Sequence, residues 1–141
     1  MHGVHVFHEG LSVGGRAALK IAAEMAAQGN RSCRLALELV ERGATLQQTE
    51  DAALLEERNA LLRQALAAPR VENRVQARKR YEAQAQGLMA ARDAYIAAQV
   101  DRLVGAEEAA VLFIGPDHLI EQVIAPDFGV TMLPSAPGHG A

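Results

Sequence analysis

The sequence predicts an α/β domain with a small, mostly parallel sheet of about four strands, and three observations carry that reading. Short apolar or β-branched runs alternate with helical stretches, which implies right-handed crossovers between parallel strands. The run Ala110-Val111-Leu112-Phe113-Ile114 is apolar throughout, as suits a strand covered on both faces. Half of the 141 residues are hydrophobic, enough to build one core without disulfide or metal staples.

The elements follow in order. Val4 to Phe7 is a first strand, stopped by His8-Glu9-Gly10. After a turn rich in glycine, Arg16 to Gln28 is helical, its polar stripe confined to Arg16, Lys20, Glu24 and Gln28. Gly29-Asn30 ends this helix, because both residues tolerate the left-handed conformation of a C-cap. Ser32 to Arg42 forms a second helix closed by Gly43, and Ala44 to Gln48 a short strand. Thr49 is the expected N-cap of a third helix, with Glu50 and Asp51 in its first turn and Leu54, Leu55, Leu61, Leu62 and Leu66 as its apolar stripe. Pro69 ends it. Arg70 to about Val104 reads as one long helix, a kink expected at Gly87, with charge at its start and apolar residues later. Beyond the strand 110–114, a short helix runs through Ile124, and Val130 to Leu133 is the expected last strand. The order is therefore β-α-α-β-α-α-β-α-β, in one domain over residues 1–134 with a flexible tail at 135–141.

Bulk properties exclude several classes. A net charge of −3 gives no electrostatic reason for a nucleic-acid partner, and the basic run Arg70–Arg80 is offset by glutamates. Cys33 is the only cysteine, which rules out an internal disulfide framework. No signal peptide is expected from the first residues, and no stretch nears the ~20 apolar residues of a membrane span. The expected setting is soluble, reducing and cytoplasmic, with no membrane partner.

In an open parallel sheet, ligands bind beyond the carboxyl ends of the strands. Those ends carry His8-Glu9, then Gln48-Thr49-Glu50-Asp51, then Gly115-Pro116-Asp117-His118. Convergence there would gather two imidazoles and several carboxylates. Such groups suit a divalent metal, with His8, Glu50, Asp117 and His118 as ligands, or acid–base chemistry by His8, Glu50 and His118. The loop Gly10-Leu11-Ser12-Val13-Gly14-Gly15-Arg16 has the glycine spacing of a phosphate loop but lacks its Lys-Ser/Thr, so Gly14, Gly15 and Arg16 could at most hold an anion on helix amides. Two arginines fall on apolar helix faces. Arg58 is expected to reach water over its stem, whereas Arg92 needs an acidic partner such as Glu50, Glu82 or Asp93, or points to the strand ends. His5 reads as a satisfied sheet histidine.

The stretch from Arg92-Asp93-Ala94-Tyr95-Ile96 to Val111-Leu112-Phe113-Ile114-Gly115-Pro116-Asp117-His118 resembles the closing segment of the TraB/PrgY–Tiki group, distantly related to ChaN-like and erythromycin-esterase-like proteins. In that group an arginine-bearing helix precedes a hydrophobic strand ending in Gly-x-x-His. The resemblance covers the last third of the chain and implies an α/β fold with a metal or small-ligand site, and metal-dependent peptide hydrolysis in the Tiki branch. The early Gly-x-x-His of those families is absent here, and Glu50 would stand for their acidic residue.

The leading expectation is a metal- or small-ligand-binding domain, with hydrolysis as its chemistry, using His8, Glu50, Arg92 as an anion clamp, and His118 on a small-molecule or peptide ligand. The alternative is a non-catalytic homo-oligomeric or partner-binding protein that uses its alanine-rich helices and long charged helix.

Overall fold

A computed structural model describes residues 1–67 and 71–133. Its elements are β1 (Val4–His8), α1 (Gly15–Ala27), α2 (Arg31–Glu41), β2 (Thr45–Leu46), α3 (Ala52–Leu66), α4 (Val71–Leu103), β3 (Ala109–Phe113) and α5 (Ile120–Val123). β1 lies in the middle of a parallel sheet of order β2-β1-β3. In register, Val6 stands beside Leu46 on one side and Val111 on the other.

The two-residue period of β1 divides the core into two layers. Val4 and Val6 face α1 and α2, where Leu11, Ala18, Ala22, Cys33, Ala36 and Leu46 complete a buried cluster. Small alanines on the inner faces let these helices lie close to the strands. Phe7 faces the other way, onto Val100 of α4 and Val104 just beyond it, with Leu112, Ile124 and Phe128 around it. Fully burying the Phe7 ring contributes roughly 1.5–3 kcal/mol. α4 has 33 residues, so it is about 50 Å long and reaches well past so small a sheet. α3 packs chiefly along α4 and has no fully buried residue.

Mixed α/β architecture and parallel pairing agree with the sequence, but the described residues hold three strands rather than four. Residues 130–133 pair with nothing; Val130, Met132 and Leu133 are 46%, 67% and 84% exposed. Ile124 and Phe128 pack beside Phe7, and residues 129–133 lie outside that core. β2 is shorter than expected because the chain bends away after Gln47, and the Thr49 and Glu50 amides both donate to the Leu11 carbonyl at 2.9 Å. Two caps also differ. Gly29, at φ +100°, ends α1 alone, while Asn30 caps α2 by accepting from the Cys33 amide. Asp51, not Thr49, caps α3 by accepting from the Leu54 amide; Thr49 Oγ1 instead accepts from the His8 amide at 3.0 Å. α4 continues through Gly87 as one helix. Arg70 and the tail from residue 134 lie outside the described residues. Among the described residues, no helix is long and apolar enough to cross a membrane.

Candidate functional site

The connections from β1 leave to β2 on one side and return to β3 on the other, so the carboxyl ends of β1 and β3 form a topological switch point. Glu9 follows β1 there, and the turn Gly115-Pro116-Asp117-His118 follows β3. Glu9 lies on the Phe7 side of the sheet by alternation, which aims its carboxylate at α4. The adjacent Gly115 makes room for it: a Cβ at that position would sit 3.1 Å from Glu9 Oε1. The Glu9 amide also donates to the Phe113 carbonyl at 2.9 Å, extending the β1–β3 ladder to the rim.

Five ionisable side chains meet at this rim. Arg92, on α4, donates from Nε to Glu50 Oε1 at 2.9 Å, and its Nη2 lies 2.7 Å from the same oxygen. Both side chains are buried, at 4% and 1% exposure, so each charge depends on the other. Glu50 Oε2 accepts from the Gly10 amide at 3.2 Å, which ties α3's start to the β1 turn. Nη2 converges on Glu50 Oε1 at a poor angle and has no well-aligned acceptor of its own; Glu9 Oε2 is 3.9 Å away. Glu9 Oε2 in turn accepts from His118 Nε2 at 2.9 Å. His118 Nδ1 bonds Asp93 Oδ1, and Asp93 Oδ2 accepts from the Leu119 amide at 2.9 Å, which fixes the turn that carries the imidazole.

The charges shift one another. Burial pulls the His118 pKa down, but hydrogen bonds to Glu9 and Asp93 and their negative charges outweigh it, so the net shift is upward. Glu9 is held below the ordinary carboxylate range, chiefly by its bond from His118 and against its own desolvation, with help from Gly115 and Arg92. His118 is thus favoured as an imidazolium between two carboxylates.

Beside this network is a cavity of about 260 Å³. Glu9, Arg92, Asp117 and His118 line one wall, while Leu61, Ala85, Leu88 and Met89 from α3 and α4 form an apolar wall with Tyr81 and Arg58 at its edge. Glu9 is 35% exposed and is the most accessible member of the carboxylate–imidazole chain.

Of the residues singled out in the sequence, Glu50, Arg92 and His118 come together, and Arg92 takes Glu50 from its three candidate partners. His8 does not join them. One residue before Glu9 on the strand, its ring turns to the opposite face, where Nε2 lies 2.7 Å from Ser32 Oγ and the ring stacks on Phe113 at 5.9 Å between centroids. Asp117 lines the cavity but is exposed. The metal set His8, Glu50, Asp117 and His118 is therefore divided, and among the described residues no three or more His, Cys, Asp or Glu side chains converge as metal donors. Gly15 and Arg16 are exposed at the start of α1 and Gly14 lies against Gln48, apart from the switch-point cavity. Arg58 is half-buried, its guanidinium bonded to Asn59 Oδ1. His5 Nδ1 accepts from Gln47 Nε2 at 2.9 Å, while its Nε2 lies 3.0 Å from Glu108 Oε1 without a well-aligned hydrogen bond.

Sequence reasoning placed Glu9 only among the strand-end carboxylates and Asp93 only among the candidate partners of Arg92, neither of them beside His118. The available signal was parity: Glu9 shares a face with Phe7, whereas His8 shares one with Val6. Asp93 was visible only as a neighbour of Arg92, since its contact with His118 crosses 25 residues.

Comparisons with family models, with curated proteins and with solved structures yield no match to this chain.

Proposed function

We propose that this chain is a small-ligand-binding α/β domain whose ligand lies in the switch-point cavity. The observation that supports it most is the joining of that cavity to a buried, mutually dependent set of charges, Glu50–Arg92 and Asp93–His118–Glu9. Buried ion pairs add little net stability, and hydrophobic residues of similar volume would serve folding as well. Perturbed titratable groups beside a cavity are a mark of function. One wall is apolar and the other offers donors and acceptors, so the fitting ligand has an apolar body and a polar head.

The chemistry favours recognition over turnover. Glu9 is ionised and weakly basic, and His118 has both ring nitrogens engaged by carboxylates. Such groups hold fixed charge against a ligand; a general base works best with a pKa near the operating pH. The likeness to the TraB/PrgY–Tiki group belongs to this proposal, because Arg92 and His118, which carry that resemblance, both line the cavity.

The test is a screen of polar-headed aromatic and aliphatic fragments by amide chemical-shift mapping, repeated on Ala85→Phe, which fills the apolar wall without touching the charged set. Fragments whose shifts centre on Glu9, Met89, Arg92 and residues 115–118, and which fail to bind Ala85→Phe, would support the reading. Hits scattered over the surface, or none at the cavity, would refute it.

A second reading has its own observation. α3 lacks a buried residue and leaves Leu62 and Leu66 exposed one helical turn apart, with Val75 exposed on α4. That pattern favours partner or homo-oligomer binding through the α3–α4 pair, which sedimentation of wild-type and Leu62→Lys/Leu66→Lys protein would reveal.

A further inference from the structure

On the opposite face of the sheet from the cavity, His8 meets the first turn of α2. We propose that Ser32 is a nucleophile activated by His8, able to accept an acyl or phosphonyl group from a small activated donor. This site is independent of the cavity, and either proposal can fail without the other.

The two ring nitrogens of His8 have different partners. Nδ1 is 2.8 Å from the Glu9 carbonyl oxygen, an acceptor that cannot donate. With its proton on Nδ1, the neutral ring donates to that carbonyl. Nε2 is left as a bare acceptor, 2.7 Å from Ser32 Oγ. The arrangement is that of a base oriented by a third group, with a backbone carbonyl doing the orienting. The ring is buried and stacked on Phe113, which fixes its plane.

Ser32 Oγ also donates to Asn30 Oδ1 at 2.8 Å, an oxygen that accepts from the Cys33 amide at 2.9 Å as well, so Asn30 and His8 Nε2 compete for the one hydroxyl proton. Asn30 already caps the helix, so capping does not require the hydroxyl. When His8 takes the serine proton, the imidazolium is satisfied at both nitrogens, by the Glu9 carbonyl and the serine oxygen. Ser32 is half-buried. The amide dipoles of α2's first turn favour negative charge at this place. Cys33 Sγ is 3.5 Å from the same Nε2, but it is wholly buried and burial raises its pKa, which keeps it a thiol.

The step balances simply. Ser32 Oγ forms a bond to the donor's carbonyl carbon or phosphorus, its proton passes to His8 Nε2, and the leaving group departs with its bonding electron pair and takes that proton. For an ester donor, water attacking the acyl-serine with His8 again as base would return the free enzyme and a carboxylic acid.

A fluorophosphonate probe tests this directly, with fluoride as leaving group and intact-mass and peptide mass spectrometry as readout. We expect one label per chain on Ser32, none on Ser32→Ala, wild-type labelling of Cys33→Ala, and labelling slowed at least about 100-fold in His8→Gln. Absence of label on wild type, label elsewhere, or unchanged labelling of His8→Gln would overturn the proposal. Should His8→Gln not fold, ¹⁵N NMR of the wild-type His8 ring decides the question: an Nδ1–H neutral tautomer is expected, and an Nε2–H tautomer would contradict the base assignment.

Discussion

His8 and His118 stand at the same rim of one sheet, yet their surroundings differ in kind. His8 is held by a carbonyl and a hydroxyl, both uncharged, whereas His118 is clamped between two carboxylates. The first setting surrounds the ring with neutral partners, and the second favours its positive charge. Residue type therefore fails to define the chemistry at a strand end; the face to which the side chain turns decides it. A shift of one residue along β1 would have exchanged His8 and Glu9 and dissolved both arrangements.

The contrast between the two faces breaks most readily at Arg92. Replacing it with Met strands Glu50 as a buried, unpaired carboxylate, and the expected loss is about 3–5 kcal/mol of unfolding free energy by denaturant titration. Adding Glu50→Met to that variant removes the stranded charge and should recover much of the loss. A single variant as stable as wild type would mean that the pair is not buried as described.

A smaller effect is expected at Gly115. Alanine there brings a methyl to 3.1 Å from Glu9 Oε1, so the carboxylate must give way. We expect a loss of about 1 kcal/mol and a rise in the Glu9 pKa as its bonds from His118 and Gly115 loosen. The His8 face should not respond, and loss of His8 ring order in this variant would contradict the independence of the two faces.

The smallest change is expected at Val130. Since residues 130–133 lie outside the sheet, Val130→Asp should alter stability by no more than ~0.5 kcal/mol. A loss of several times that amount would restore the fourth strand.

Much of this arrangement is legible in the sequence. Apolar runs and helix periodicity locate β1, β3 and the long helix, and an arginine on an apolar helix face correctly signals a buried acidic partner. What is hidden depends on long-range choices. Ile124 and Phe128 pack in the core while residues 130–133 lie outside it, a difference that local propensity does not encode. The caps at Asn30 and Asp51 lie one and two residues from Gly29 and Thr49, which have competing local credentials as helix ends. His8 parts from the expected cluster because nearness along the rim says nothing of the face a side chain takes, and strand parity does. Ser32 escapes notice because nothing near it in sequence is an imidazole.

The pH behaviour of His118 tests the carboxylate clamp most directly. Its pKa is raised on folding, so its stabilising contribution is full below its ordinary value of 6.5 and is lost as pH rises through the folded value. Titration of the His118 ring by NMR should give a pKa above 6.5 in wild type, falling in Glu9→Gln and again in Asp93→Asn. A wild-type value at or below 6.5, or one indifferent to both substitutions, would contradict the clamp and with it the charged wall of the cavity.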